Sequence, residues 1–395
     1  MRGCSLVRLA VVREGRALLL IPDPETARAP HGFEPAWMPV FYNPRMVFNR
    51  DVSVLAVRIY VERYAPHKPV HAVDALSGTG VRAVRYAVES TSEILVHAND
   101  IDPRACQLIR ENIALNRLAD RVTPHCTDAN ALLETIRREE PILLADIDPF
   151  GSPAPFAHAA IRAVGHGGLA AFTATDLAVL EGSKRRAATR KYWVSIAKTP
   201  ESKEIGLRVL LGYIARAAAS SDKAVRPVLS YYADHYYRVY MLVSRGARKA
   251  DNMLERHVGN AVYCQQARKT VLGDECPSDE KGTIIGPVWT GPLSDGEFIS
   301  ALLNALEGYE YLETRERTRK LLQLLYEEAS VCDSCIFYRL DALASVHTPR
   351  IPKISAVIDN LRGMGYRASR THFHPMGLRT NAPYEAVVSV LRAHL

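Results

Sequence analysis

The chain is informative first for what it lacks. No apolar run in its 395 residues approaches the ~20 residues that span a bilayer. The stretch from Met1 to Leu9 has basic residues but no sustained apolar segment with a cleavage site, so no signal peptide is expected. There are no internal repeats and no low-complexity tract. The seven cysteines (Cys4, Cys106, Cys126, Cys264, Cys276, Cys332, Cys335) are odd in number and scattered, unlike a secreted disulfide framework. Cys332 and Cys335 have no second CxxC, so a four-cysteine zinc site is not written here. No cysteine lies between Cys126 and Cys264, which disfavours C5-methylation of pyrimidines, a reaction that wants a nucleophilic thiol beside a proline. Histidines do not accompany the acids at metal-ligand spacing, and His71 and His97 read as packing residues within strands.

What is present suits a two-domain globular protein, with 48% hydrophobic and 24% charged residues. The net charge of +7 bears on nucleic acid only if the cations cluster near a site. Alternation from Ser5 to Val12 and again from Arg16 to Ile21, around Gly15, predicts a hairpin. A proline-rich connector follows, through Pro22, Pro24, Pro30, Pro35 and Pro39, and then a helix from about Asn49. From residue 69 short apolar strands alternate with helices: Val70 to Ala75, Ile94 to Ala98, Val122 to His125, Ile142 to Ala145 and Gly168 to Thr173. That rhythm predicts right-handed crossovers and a doubly wound, mostly parallel sheet. After about residue 225 the pattern turns mixed, with aromatic-rich strands, several helices, and a stretch from Leu340 to Arg370 spaced like a helix-turn-helix with a wing or a plain helical hairpin.

Four segments carry chemistry. Asp74-Ala75-Leu76-Ser77-Gly78-Thr79-Gly80 is a small-residue turn between strand and helix, where a ligand can approach backbone and helix terminus. Asp100 ends the next strand, where a carboxylate accepts ribose hydroxyls. Asp128, after the third strand, stands where an adenine amino group would sit, or caps the helix that follows. These three suit any adenosine ligand, whether NAD or S-adenosylmethionine. The deciding segment is Asp146-Ile147-Asp148-Pro149-Phe150-Gly151-Ser152-Pro153. Proline stiffens the turn, the aromatic offers a face to a base, and the carboxylate accepts amine hydrogens. Amino-group methylation needs such acceptors, because the exocyclic lone pair is delocalised into the ring. Ahead of the sheet, Phe41 is placed to stack on a base and Arg50 to reach a cofactor carboxylate. Basic clusters at Lys184 to Lys191 and at Arg245, Arg248 and Lys249 flank Tyr231, Tyr232, Tyr236, Tyr237 and Tyr240, an arrangement that suits an RNA surface.

Assembled, these segments resemble the tRNA (guanine-26-N2) dimethyltransferase family, in its archaeal form. The resemblance runs from Phe41-Tyr42-Asn43-Pro44-Arg45-Met46 through the Asp74 to Arg82 turn, Asp148 to Pro153 and Thr173-Ala174-Thr175-Asp176, to Thr371-His372-Phe373, Pro375-Met376-Gly377 and Thr380 to Tyr384. It implies a Rossmann-like class I methyltransferase domain over residues 1–225 and a mixed α+β domain over 226–395 that positions tRNA. It also implies transfer of one or two methyl groups from S-adenosylmethionine to N2 of guanine 26, in the cytoplasm. Mapped by motif, Arg50, Asp74, Arg82, Asp100, Asp128 and Ala129 would bind the cofactor, with Asp148 as the catalytic acceptor between Phe41 and Phe150. Some relatives carry a four-cysteine zinc module; Cys264 and Cys276 keep one cysteine of each pair, so no metal is expected. Two rivals remain, an amino-methyltransferase for another base such as adenine N6 and an inactive RNA-binding scaffold. The acids at 74, 100, 128 and 148 argue against the scaffold.

Overall fold

The computed structural model describes residues 8–29, 32–33, 37–276, 280–332, 334–348 and 350–393. Outside them lie the first residues of the expected hairpin strand (5–7), Cys4, Pro30 and Pro35 of the connector, 277–279 beyond Cys276, and Asp333. The chain forms two compact units. The first holds the described residues up to Pro149 with Ala159–Phe172 and Leu302–Arg319; the second holds Phe150–His158, Thr173–Ala301 and the remainder from Lys320.

In the first unit, β1 (Leu9–Glu14) and β2 (Ala17–Pro22) form the expected hairpin, with Gly15 at φ +57° in its turn. A two-residue ladder joins β3 (Arg28–Ala29) to β4 (Gly32–Phe33). Asn43 caps a short 3-10 turn through its side chain, and α1 (Val47–Arg63) follows. From Val47 to Val61 this helix is buried on all sides apart from Arg58, so Asn49, Arg50 and Asp51 lie inside the protein. Polar groups so placed need internal partners.

Five parallel strands make the sheet of this unit: β5 (Val70–Asp74), β6 (Ile94–Asp100), β7 (Val122–Cys126), β8 (Ile142–Ile147) and β9 (Val164–Ala174). Between them run α2 (Val81–Arg85, continued by a π-helical turn to Ser90), α3 (Pro103–Leu115), α4 (Ala129–Glu139) and α5 (Ala154–Ala163). The strand order β9-β8-β5-β6-β7 reverses direction between β5 and β8. At such a reversal two strand-to-helix loops part and leave a crevice at the carboxyl edge. Gly78 (φ +55°) needs its missing side chain there, since a Cβ would stand 2.9 Å from the Phe41 carbonyl oxygen.

Leu302–Arg319 returns to this unit from far along the chain. Thr314 donates to Asp51 from its backbone nitrogen (3.0 Å) and hydroxyl (2.6 Å). The Tyr309 hydroxyl donates to the Glu89 carbonyl at 3.0 Å. No local pattern in the sequence announces this return.

The second unit is α+β. It contains α6 (Leu177–Leu180), α7 (Arg185–Tyr192), α8 (Ser202–Ala219), the hairpin β10 (Lys223–Ala233) with β11 (Tyr236–Arg245), and α9 (Ala247–His257). An antiparallel sheet of order β13-β12-β14 follows, from β12 (Val258–Cys264), β13 (Lys269–Leu272) and β14 (Thr283–Trp289). After α10 (Gly296–Ala305) and α11 (Arg315–Val331) come β15 (Tyr338–Arg339), α12 (Leu340–His347), α13 (Ile354–Gly363), β16 (Ala368–Thr371), β17 (His374–Thr380) and α14 (Tyr384–Ala393). The two helices α12 and α13 are thus followed by a β16–β17 ladder, around a core of Leu340, Leu343, Val357, Leu361, Leu378, Val387 and Leu391.

Two expectations are corrected. Tyr231, Tyr236, Tyr237 and Tyr240 are buried, and Tyr232 is half-buried, so the aromatics between the basic clusters form core and not surface. They lie on a hairpin whose middle is covered from both sides, which removes the outward face that alternation would otherwise leave. Six cysteines pair as Cys106–Cys126, Cys264–Cys276 and Cys332–Cys335, although their scatter along the sequence argued against a framework. The first pair joins α3 to the end of β7, elements that only the crossover brings together.

Candidate active site

Consider the carboxyl edge of the first unit's sheet. Asp74 ends β5, wholly buried, and among the described residues neither of its carboxylate oxygens has a partner with hydrogen-bond geometry. The Ser77 hydroxyl donates to the Asp74 backbone carbonyl (2.9 Å). Burial, with Asp146 on the neighbouring strand, pushes the Asp74 carboxyl up to about 7. Asp100 ends β6 and accepts from Gly78 N (2.9 Å) and Asp102 N (3.0 Å), which ties its carboxylate to the glycine turn. Asp128 follows β7 and accepts from Ala131 N at 3.0 Å as the cap of α4; it is exposed, while Ala129 is buried.

Asn99 organises these loops. It is fully buried; its side chain donates to Ala75 O and Thr127 O (3.0 Å each) and accepts from Thr127 N (3.1 Å). One amide thereby fixes the turns after β5 and β7 to the end of β6.

Asp148 follows β8. It is paired with Arg82, whose guanidinium also donates to Ser53 Oγ (2.7 Å) and Asn49 Oδ1 (2.9 Å) and lies 3.7 Å from Asp146. Burial alone would weaken the Arg82 charge, but Asp146 and Asp148 more than offset it and hold the group more firmly protonated. The Tyr86 hydroxyl donates to Asp146. Three acids and one arginine thus meet beside the reversal point. Arg50 lies in a second cluster: its fork binds both Glu14 oxygens at 2.6 Å, and a further bond reaches Asn43 O at 3.1 Å. Tyr42 OH (2.9 Å) and Arg85 (2.9 Å) also donate to Glu14, and Arg85 pairs in turn with Asp51 and Glu89 (2.8 Å each).

The turn after Pro149 is held within the second unit. Gly151 (φ +94°) accepts from Thr175 N and donates to Thr175 Oγ1, both at 2.8 Å. Ser152 Oγ meets Tyr192 OH (2.7 Å), which donates to Asp176 (2.8 Å). This explains the Thr173-Ala174-Thr175-Asp176 motif, which steadies the loop that carries Phe150. Phe150 is 81% exposed and Phe41 43%, each presenting aromatic surface to solvent.

Residues 19–392 match the family described as N2,N2-dimethylguanosine tRNA methyltransferase. The chain belongs to this family. A tRNA (guanine(26)-N(2))-dimethyltransferase of Aeropyrum pernix is 47% identical, over 98% of this chain and 97% of its own. That of Saccharolobus solfataricus is 40% identical over 98% of this chain and 100% of its own. Among solved structures, Trm1 from Pyrococcus horikoshii in complex with S-adenosyl-L-methionine has a TM-score of 0.85 at 34% identity, covering 97% of this chain and 100% of that one.

Of the residues singled out in the sequence, the structure of this dimethylguanosine methyltransferase family member groups Asp74, Arg82 and Asp148 in one cluster and places Asp100 on the adjacent strand tip. It places Arg50 in the Glu14 cluster and Asp128 at a helix cap. Sequence reasoning missed Asn99, Asn49, Ser53, Tyr86 and Glu14. Only Asn99 left a signal, as a polar residue beside Asp100 at the end of an apolar strand.

Proposed function

We propose that this chain transfers one or two methyl groups from S-adenosylmethionine to the exocyclic N2 of guanine 26 in tRNA, as the names of its relatives describe for them. The observation that carries the reading is the Asp148–Arg82 pair beside Asp146, immediately before the Pro149-Phe150 turn. An acceptor fixed by a buried arginine is preorganised for charge that develops on an amine.

The residues present fit the cofactor. Asp74, whose buried oxygens lack a partner with hydrogen-bond geometry among the described residues, suits the ammonium or hydroxyl donors of such a ligand, and Asp100 on the glycine turn suits ribose hydroxyls. Ala129, and Asp128 through whatever capacity its cap leaves, suit the adenine end; Arg50, held in the Glu14 cluster, suits the cofactor carboxylate at the other end. S-adenosylmethionine, when bound, supplies a methyl group on a sulfonium. Asp148 accepts a hydrogen bond from the guanine amine, turns its nitrogen toward that methyl, and takes up or relays the proton released as the N–C bond forms. Arg82 positions Asp148, and Phe41 and Phe150 offer faces to the base. The first unit carries the chemistry, and residues 226–395, apart from the returning Leu302–Arg319, hold the tRNA. Such a reaction belongs in the cytoplasm; among the described residues no helix is long and apolar enough to cross a membrane.

The test is mass spectrometry of nucleosides from unmodified tRNA transcripts incubated with the protein and labelled S-adenosylmethionine. N2-methyl- or N2,N2-dimethylguanosine should appear in a transcript with guanine at 26 and vanish when adenine replaces it. Label on adenine N6, or on guanine regardless of position 26, overturns the reading.

A further inference from the structure

The first unit holds a second cluster of chemistry-bearing side chains that the methyl-transfer reading does not use. His71 lies near the start of β5, His97 on β6 and His125 on β7; Glu140 follows α4. Register explains their meeting. His71 stands opposite Leu95 and His97 two residues further on, while His125 stands opposite Asn99, two residues beyond His97. Residues two apart share a face, so the three imidazoles form a diagonal row across one face of three adjacent strands. All are half-buried.

Their donor atoms converge. His71 Nδ1 lies 2.8 Å from one oxygen of Glu140, and His97 Nε2 lies 2.5 Å from the other. Across the ring, His97 Nδ1 is 2.9 Å from His125 Nε2. The ligand atoms of His71, His97 and Glu140 all lie within 4.8 Å of one another. Two ring nitrogens facing a single carboxylate need either two protons or one cation among them. A pair of protons fits poorly: His71 Nδ1 is buried, yet its approach to Glu140 lacks the direction of a hydrogen bond. A tetrahedral zinc ion with bonds of about 2.0–2.2 Å needs donor atoms roughly 3.3–3.5 Å apart, within small side-chain shifts of what is seen.

We propose that His71, His97 and Glu140 bind a divalent transition-metal ion of the zinc class, with His125 as the hydrogen-bonded support of His97. Two imidazole donors beside one carboxylate favour zinc, copper or nickel over magnesium and calcium, which prefer all-oxygen sites. With the metal on His97 Nε2, the ring's Nδ1–H donates to His125, the outer bond that fixes tautomer and orientation in such sites. Three protein ligands leave a fourth position for water. The ion ties β5 and β6 to the start of β8 through Glu140, away from Asp74 and Asp100 at the strand ends. The expectation of no metal arose from the missing four-cysteine module, a different donor set; this one is invisible to spacing because its members sit on three strands and a loop.

The test uses the full-length protein, stripped with chelator under non-reducing conditions and titrated with zinc sulfate in a calorimeter. One equivalent should bind and the melting temperature should rise with zinc. Glu140→Gln, which preserves size, and His71→Ala should each weaken zinc at least tenfold, and His125→Ala by about 10- to 100-fold, the usual cost of an outer-shell loss. Cobalt in place of zinc should give tetrahedral d–d bands without a thiolate charge-transfer band. Any variant that fails to fold is set aside for Glu140→Gln, whose zinc-free melting temperature serves as the control. No zinc binding by the wild type, equal affinity in the variants, or a thiolate band that points to Cys264 and Cys276 overturns the proposal.

Discussion

Two acids of the site differ sharply in company, and that difference fixes what their substitution should do. Asp148 has the Arg82 guanidinium against it. Replacing it with Ala or Asn should lower single-turnover methyl transfer by about 100-fold or more, the scale for a lost general base or preorganised acceptor. Cofactor affinity, measured by calorimetry, should change little; a near-normal rate would remove Asp148 from the mechanism. Among the described residues neither oxygen of Asp74 has a partner with hydrogen-bond geometry, and burial, with Asp146 beside it, pushes its carboxyl up to about 7. Its folded value lies above the ordinary ~3.9 of an unfolded chain, so the folded protein keeps a proton that the unfolded chain gives up. Stability therefore falls as pH rises from about 4 to 7, and Asp74→Asn should relieve that fall. A cationic ligand prefers the ionised carboxylate, so S-adenosylmethionine affinity should rise from pH 6 to pH 7.5 in the wild type and stay flat in Asp74→Asn. Parallel pH profiles for the two proteins would contradict this. Asp148 was legible in the sequence because Pro149 and Phe150 stand beside it. Its dependence on Arg82, Asn49 and Ser53 was not, because those contacts join elements 29 to 66 residues apart.

At the scale of elements, the strand-to-helix rhythm from residue 69 onward was readable because both periods are local: apolar runs for buried parallel strands, capped amphipathic stretches for α3 and α4. The all-round buried α1 defeats such reading, since its interior charges break the apolar pattern and their partners lie elsewhere. Glu14, on β1, answers Arg50 of α1 and Arg85 of α2 at once, across 36 and 71 residues. Burial would raise its carboxyl, but Arg50 and then Arg85 outweigh this and hold it near 2. Its stabilising effect is complete above the unfolded value of about 4.3 and is lost as pH falls toward 2. Glu14→Gln leaves two buried guanidinium groups short of a counter-charge, a loss on the order of 3–5 kcal/mol. Chemical denaturation should show that deficit at pH 7 and a much smaller one at pH 2.5. Equal deficits at both values would mean that Glu14 acts by packing alone. The return of Leu302–Arg319 onto α1 is hidden from sequence for the same reason: Thr314 finds Asp51 across 263 residues.

For the molecule as a whole, the question is how one guanine is chosen in a folded RNA. On the proposed reading a carboxylate and aromatic faces hold a flipped base but cannot select its neighbourhood, and extracting the base costs a few kcal/mol. The compensating interactions must come from surface cations. Lys184 at the cap of α7 and Arg185, Arg186, Arg190 and Lys191 within it, with Arg245, Arg248 and Lys249 at the end of β11 and the start of α9, are all exposed. Of the tyrosines between them four are buried and Tyr232 is half-buried, so they offer no open platform for stacking single-stranded bases. Phosphate neutralisation remains, and it makes affinity fall steeply with salt. Beneath the surface, Glu204 pairs with Arg208 and Arg379 (2.8 Å each), Arg379 with Glu328 (3.0 Å), and Glu328 with His372 (2.7 Å). This chain of buried charges ties α8, α11 and β17 into a firm support and accounts for the Thr371-His372-Phe373 motif. Changing Arg245, Arg248 and Lys249 together to Glu should therefore leave cofactor affinity and melting temperature close to wild type. The slope of log affinity for tRNA against log salt should become shallower by about one for each phosphate no longer neutralised, and methyl transfer at low tRNA concentration should fall with it. An unchanged slope would move the tRNA-binding surface away from the end of β11 and leave the α7 cluster to carry it.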